Sequence, residues 1–125
     1  MTATDSGIRM MQIAAAAADS KGGEDLVGLD VSLPLPLVDI FLLVTGRSER
    51  NVAAIADEIE DKLLEAGFKR LRREGRNEAR WILLDFGDLV VHVFHEQERV
   101  YYGLERLWKD CPVVPIELPA TASAE

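Results

Sequence analysis

His92 and His95, with Glu96 beside them, are the side chains of this sequence that most resemble metal ligands. Imidazole nitrogens and carboxylate oxygens are ordinary ligands of zinc. The surrounding residues form a strand pattern, however, and residues three apart on a strand point to opposite faces of the sheet. The two histidines cannot converge on one ion unless the strand ends between them. The pattern therefore favours a packed His92 and a solvated His95, with no metal and no other cofactor.

The segment Thr45-Gly46-Arg47-Ser48 lies between an expected strand and an expected helix, where backbone amides can hold a phosphate. One glycine is a weak signal, and neither G-x-x-x-x-G-K-[ST] nor G-x-G-x-x-G occurs. A nucleotidyltransferase also needs closely spaced carboxylates that hold Mg²⁺, and the sequence contains no D-x-D. A nucleotide-binding or nucleotidyltransferase-like enzyme that uses this turn is therefore only the alternative function.

Composition excludes several classes of protein. The 125 residues suit one domain, and the single cysteine, Cys111, excludes a disulfide scaffold. Cys111 also has no histidine near it in sequence to activate a nucleophilic thiol. The 22 acidic and 14 basic residues give a net charge of −8, which is unsuited to naked nucleic acid and favours a basic protein partner. No signal peptide or membrane span is recognisable, so we expect a cytoplasmic protein without membrane contact.

The spacing of apolar residues predicts an α/β fold, in which helices pack on a single mixed sheet of about five strands. The predicted helices cover residues 7–20, the stretch from the N-cap Ser48 to Gly67, and residues 99–109. The predicted strands cover residues 25–31, 39–44, 68–73, 81–86 and 89–94. The strand at 39–44 is continuously apolar, which predicts that both of its faces are covered. Gly28, inside its strand, predicts a bulge or a close neighbour.

Prolines interrupt the chain in two further places. Pro34 and Pro36 make residues 32–36 a loop or a sheet edge, because proline donates no backbone hydrogen bond and restricts the residue before it. The segment 112–125 contains three prolines and ends in small residues. We expect it to be a mostly disordered tail, which leaves residues 1–111 as a single domain.

The strands at 81–86 and 89–94 are predicted to form a hairpin, because glycine is the first residue of the two-residue loop Gly87-Asp88 and this is typical of a type II′ turn. One face of this hairpin is wholly apolar and pairs Phe86 with Leu89, Leu84 with Val91 and Ile82 with Val93. The other face pairs Asp85 with Val90, Leu83 with His92 and Trp81 with Phe94. This second face is too apolar to be left in water, so either a helix of the same chain or a partner covers it.

Aromatic residues are the best candidates for contact with a partner protein, because interfaces are enriched in tryptophan and tyrosine. Trp81 lies on the second face of the predicted hairpin and is expected to anchor a partner. Tyr101 and Tyr102 in the last predicted helix are further candidates, whereas the spacing of Trp108 with Leu104 favours the core.

Four segments occur in a recognisable order: DLVGLDV, LLVTGRSERNVAAIADEIE, EGRNEARWILLDFGDLVVHVF and RVYYGLERLW. They contain TG-x-S-x-R, EG, W-x-L-x-D-x-G-D-x-V-V-H and YY-x-L-E-x-L-W. With these motifs the sequence resembles the ribosomal silencing factor family, also called the Iojap family, most strongly over residues 25–108. The loop SLPLPLV is more apolar and richer in proline than this family leads us to expect.

The resemblance implies an α/β fold that is related to nucleotidyltransferases but non-catalytic. It also implies binding to large-subunit ribosomal protein L-fourteen on the 50S subunit, which would block subunit association and repress translation in stationary phase or starvation. Acidic groups would complement that basic protein, and the basic residues within 69–73 allow a minor contact with ribosomal RNA. The expected partner-binding residues are Trp81, Leu83, Asp85, Asp88, Val90, His92, Phe94, Tyr101, Tyr102 and Glu105.

Two expectations concern the free protein. The apolar residues of the second hairpin face are costly to leave in water, so the free protein is expected to hide them in a two-fold homodimer. A purely structural oligomerisation domain is the other alternative to a ribosome-binding protein.

Overall fold

The structure describes residues 4–35, 37–98 and 110–118 of a computed structural model. These residues contain two complete helices, six strands and, at 96–98, a further helical turn. In chain order these elements are α1 (Asp5–Ser20), β1 (Glu24–Asp30), β2 (Ile40–Gly46), α2 (Glu49–Glu65), β3 (Arg72–Glu74), β4 (Trp81–Asp85), β5 (Leu89–His95) and β6 (Val113–Val114). None of the helices in these residues is long and apolar enough to cross a membrane.

The strands form one mixed sheet in the order β3-β4-β5-β2-β1-β6. The central strands β2 and β5 run parallel, and every other neighbouring pair is antiparallel. The predicted α/β fold with a single mixed sheet is thereby confirmed, with six strands instead of about five. The relation to nucleotidyltransferases stays a prediction.

Both helices begin at hydroxyl N-caps. Ser48 caps α2, as predicted, and its Oγ accepts a hydrogen bond from the amide of Asn51 at 3.1 Å. Thr4 caps α1, and its hydroxyl also donates to Oδ2 of Asp39 at 2.6 Å. The cap of α1 therefore fixes the start of this helix to the residue that precedes β2. Gly67, with φ of +94°, ends α2 in the left-handed conformation that glycine adopts without strain.

The main core lies between the helices and one face of the sheet. Alanines of α1 such as Ala14, Ala15 and Ala18 are fully buried, because small side chains allow the helix to pack closely. The hairpin contributes the face that the sequence predicts to be core, and the register pairs Ile82 with Val93 and Leu84 with Val91 as expected. Gly87 has φ of +90°, which agrees with the predicted turn. All seven residues of β2 are buried, so the prediction of cover on both faces is confirmed.

The strand predicted at 68–73 is shorter and displaced. Phe68 packs against the main core, and the guanidinium of Arg9 lies 5.5 Å from the centre of its ring. Pairing begins only at β3, which continues one residue further than predicted and has three exposed residues at the sheet edge. The prediction failed because the apolar ring of Phe68 is used by the core and not by the sheet.

The segment predicted to be a disordered tail contains β6, which pairs with β1 through Val113 and Val114. Gln12 in α1 binds the chain further along, donating to the carbonyl of Pro115 and accepting from the amide of Glu117, each at 2.9 Å. Prolines still offer carbonyl oxygens, so they do not prevent this docking. The prediction of disorder is therefore corrected for residues 113–118, whereas residues 119–125 lie outside the described residues.

Gly28 in β1 is the residue that allows β6 and α1 to approach closely. A Cβ atom at this position would lie 2.5 Å from the sulfur of Met11 and 3.1 Å from the carbonyl oxygen of Val114. The predicted close neighbour of Gly28 is thus confirmed. The register irregularity of β1 lies nearby, between Glu24 and Val27.

Leu84→Ala is expected to destabilise the fold by about 2–5 kcal/mol, because it leaves a cavity at a fully buried position of the main core. Leu64→Ala is the matched control, since Leu64 is 62% exposed on α2 and should change the unfolding free energy by less than about 0.5 kcal/mol. Denaturant titrations of the three proteins measure both effects. A Leu84→Ala midpoint equal to that of the wild type would show that this face is not the core.

Candidate functional site

The face of the sheet opposite the helices, here called the second face, forms a core of its own. Its buried apolar residues alternate along the strands with those of the main core, as the period of two in a β-strand requires. They are Leu29, Val31, Phe41, Leu43, Val90 and Phe94. Half-buried apolar residues pack against them, namely Val27, Leu35, Val38, Trp81, Leu83 and Cys111.

Three of the predicted partner-binding residues are buried within the chain, as expected if the same chain covers this part of the face. Val90, His92 and Phe94 are 7%, 6% and 0% exposed. All three lie on β5, which has β4 on one side and β2 on the other and is covered on both faces. The hairpin pattern alone did not reveal that this strand is central. These side chains cannot touch a partner unless the chain rearranges.

Trp81 and Leu83 are the apolar members of the predicted set on described strands that are only half-buried. They lie on β4, and only the short strand β3 separates β4 from the sheet edge. Their contact with a partner stays a prediction. Tyr101, Tyr102 and Glu105 lie outside the described residues, as does the predicted helix 99–109 that carries them.

A hydrogen bond and several ring contacts hold Trp81 in a defined orientation. Its indole Nε1 donates to Nδ1 of His92 at 3.2 Å, and its ring centroid lies 5.0 Å from that of Phe94. A side chain that is fixed before binding loses less conformational entropy when a partner covers it. The geometry therefore suits Trp81 to serve as a preorganised anchor.

His92 is packed among aromatic rings, as predicted, and is neutral at physiological pH. The prediction of a solvated His95 is wrong, because β5 extends to His95 and is buried along its whole length. Burial lowers the pKa of His92 to about 4, because the charged form loses its hydration. Phe41 contacts the ring edge-on, with 4.8 Å between centroids, and Phe94 stacks on it at 5.9 Å. Since Nδ1 accepts from the indole of Trp81, the proton is on Nε2, which has no hydrogen-bond partner among the described residues.

The two acidic residues of the hairpin have different roles. Oδ1 of Asp85 accepts from the amide of Gly87 at 2.9 Å and thereby stabilises the turn, and Oδ2 lies 4.0 Å from Arg72. Asp88 is exposed, and no hydrogen bond or ion pair engages its carboxylate in the part of the chain that the structure describes. Of the two, Asp88 is the one available to a basic partner.

The start of α2, the alternative site for a phosphate, is closed by side chains of the protein itself. Thr45 and Gly46 belong to β2 and not to a turn. The amide of Asn51 donates to Ser48, and the Oδ1 atom of Asn51 accepts from the amide of Arg47 at 3.0 Å. These amides are thus already bonded within the chain. The role of Asn51 could not be recognised from the sequence, where only Ser48 has the signature of a cap.

An ion-paired carboxylate lies at the start of α2. The first helical residue, Glu49, forms an ion pair with Arg80 at 2.9 Å. Backbone hydrogen bonding, followed by the hydrogen bond to Arg80, lowers the pKa of Glu49, so a carboxylate already occupies this helix end at neutral pH. Because this carboxylate also accepts a hydrogen bond from the backbone of Glu49, a phosphate would have to compete with it for that amide.

Cys111 has the opposite of the environment that a nucleophile requires. Desolvation, followed by the nearby charges of Asp30 and Asp110, raises the pKa of its thiol. A reactive cysteine needs a lowered pKa, so that the thiolate is populated. The position of Cys111 beside the second face suits an incidental thiol that contributes to packing.

The buried His92 should make stability depend on pH. An unfolded histidine with a pKa near 6.5 binds protons more strongly than folded His92, so the folded state loses stability as pH falls from about 6.5 towards 4. The expected loss is about 3 kcal/mol, and His92→Gln should remove it. Unfolding free energies measured from pH 7 to pH 4 give the slopes. His95→Gln is the control that retains this loss, whereas parallel curves for the wild type and His92→Gln would contradict the assignment.

Comparison with known proteins agrees with this architecture. A family model described as ribosomal silencing factor during starvation matches residues 4–125. The ribosomal silencing factor RsfS of Bacillus subtilis is 47% identical over 108 residues, which are 86% of this chain and 92% of that protein. A crystal structure from Bacillus halodurans has a TM-score of 0.77 at 44% identity and covers 86% of this chain and 98% of that one. Another, from Chromobacterium violaceum, has a TM-score of 0.79 at 37% identity and covers 81% and 84% of the two chains. The chain therefore belongs to the ribosomal silencing factor family.

Proposed function

We propose that this protein binds large-subunit ribosomal protein L-fourteen in the cytoplasm and blocks association of the small and large ribosomal subunits. Translation is thereby repressed in stationary phase or starvation. The observation that carries this proposal is the half-buried Trp81, held by His92 and Phe94 near the edge of the sheet in a member of the silencing-factor family. The mechanism is steric, since a bound domain of this size occupies the surface that the other subunit needs.

The distribution of charge supports a basic protein as the main partner. The net charge is −8, and the exposed carboxylate of Asp88 lies at the tip of the hairpin. Complementary charge speeds encounter and disfavours wrong partners. An acidic surface does not favour the phosphate groups of RNA.

The arginines in and beside β3 could make only a minor contact with ribosomal RNA, because carboxylates of the same chain pair with them. Arg70 and Arg73 form ion pairs with Glu60 at 3.1 and 2.9 Å. Arg72 lies near Glu74 and Asp85, at 3.5 and 4.0 Å. These guanidinium groups are partly neutralised within the chain, which supports protein as the principal partner.

A non-catalytic role agrees with the start of α2. The hydrogen bonds of Ser48 and Asn51 and the carboxylate of Glu49 oppose the nucleotide-binding alternative. Calorimetry with nucleotide and Mg²⁺ tests this alternative directly, and saturable heat would favour it.

Trp81→Ala should weaken binding to purified L-fourteen by about 2 kcal/mol or more, because truncation of a central aromatic anchor has an effect of this size. Titration calorimetry gives the affinity. Trp81→Phe keeps an apolar ring but cannot donate to His92, so it should retain part of the affinity. Since both variants lose the hydrogen bond to His92, each needs a denaturant titration to show that it is folded. Unchanged affinity of a folded Trp81→Ala protein would remove Trp81 from the interface.

Self-association stays a prediction. The apolar surface that a homodimer would bury is smaller than the sequence suggests. Val90 and Phe94 are buried within the chain, so Trp81 and Leu83 are the residues of the proposed patch that a second copy would cover. We expect a weak homodimer that L-fourteen converts to a one-to-one complex, because both partners compete for Trp81. Light scattering coupled to size exclusion measures the masses. A free protein that is monomeric at high micromolar concentration, or a ternary complex that retains the homodimer, would refute the shared surface.

A further inference from the structure

The loop that joins β1 to β2 exposes two leucines. Leu33 and Leu37 are 78% and 85% exposed, more than any other large hydrophobic side chain among the described residues. Solvent-exposed leucines are common singly, but two in one short loop form an apolar protrusion.

The described residues on both sides of Pro36 are held by contacts with the rest of the chain. Leu35 and Val38 point inwards and pack against the second face. The amide of Leu35 donates to the carbonyl of Val31 at 2.9 Å, and the hydroxyl of Ser32 donates to Asp30 at 2.6 Å. Leu35 thus packs inwards between the exposed Leu33 and Leu37. The packing of Leu35 and Val38 keeps these two leucines directed towards solvent.

The loop lies at the end of the sheet that carries the hairpin turn. Ile40 at the start of β2 is paired with Leu89 at the start of β5, and the amide of Asp39 donates to the carbonyl of Asp88 at 3.0 Å. Acidic residues consequently lie near this loop. Asp30 and Asp39 lie at its two ends, where their carboxylates accept hydrogen bonds from Ser32 and Thr4, and the exposed Asp88 lies beside it.

The exposed leucines and the nearby acidic residues together favour one class of binding partner for this loop. RNA is disfavoured because its phosphates would face the carboxylates. A second copy of this chain is disfavoured because a two-fold contact would bring the same carboxylates together. A basic protein surface with an apolar recess satisfies both features.

We propose that Leu33 and Leu37 form a second docking element, which inserts into an apolar recess on a basic large-subunit ribosomal protein. The inference rests on the proposed function and extends its interface. Leu35 and Val38 pack in the same cluster as Trp81 and Leu83, so the loop continues the second face. β4 is about 14 Å long, and one standard interface of roughly 800 Å² per partner can reach both ends.

The test compares the double variant Leu33→Ser, Leu37→Ser with Leu64→Ser, which alters another exposed leucine on α2. The probes are purified L-fourteen by calorimetry and 50S subunits by co-sedimentation. We expect the double variant to bind both probes at least about tenfold more weakly, with an unchanged denaturation midpoint, and Leu64→Ser to bind like the wild type. Asp88→Asn should weaken binding and reduce its dependence on salt.

Each contrary result has a distinct meaning. Wild-type affinity of the double variant, together with weak binding of Trp81→Ala, overturns the second docking element and leaves the proposed function standing. Failure of the wild type to bind L-fourteen overturns both. A loss of affinity seen only with protein-free ribosomal RNA identifies RNA as the occupant, and a change in the oligomeric state of the free protein identifies a second copy. Either finding overturns the inference.

Discussion

The parallel pairing of β2 with β5 is the constraint on which the rest of this structure depends. Both strands are buried along their whole length, so the chain must supply apolar cover for two faces of one sheet. The helices cover one face of the sheet. On the second face, Leu35, Val38 and Cys111 from outside the strands pack against the buried residues. Among the described residues, the accessible parts of the sheet are therefore its edges and ends, where β4, the hairpin tip and the loop before β2 lie.

The buried His92 forms a hydrogen bond with the partly exposed Trp81. It lies on β5, and its Nδ1 atom holds the indole of Trp81 on the neighbouring strand β4. The same burial that lowers the pKa of His92 keeps the imidazole neutral and able to accept this hydrogen bond. The orientation of an interface candidate thus depends on a residue that no partner needs to touch.

The two ends of the sheet differ in the groups that are available to bind another molecule. At the end where β2 leads into α2, the amides of Arg47 and Asn51 donate to Asn51 and Ser48, and Glu49 is ion-paired with Arg80. At the opposite end, exposed leucines stand among carboxylates beside the hairpin. This arrangement is suited to recognition of a protein surface and poorly suited to phosphate chemistry.

The sequence by itself determined the α/β class, Ser48 as the N-cap of α2, the hairpin register and the core position of Leu84. These features follow from local periodicity and turn chemistry, which short stretches of chain contain. The motifs also identified the family.

Only the tertiary structure decided which strands are central, because strand order depends on pairing between distant segments. This is why Val90 and Phe94, predicted as partner-binding residues, are buried, and why Val113 and Val114 form a strand on β1. The exposure of Leu33 and Leu37 was decided in the same way, since the packing of Leu35 and Val38 on the second face determines which leucines of the loop point outwards.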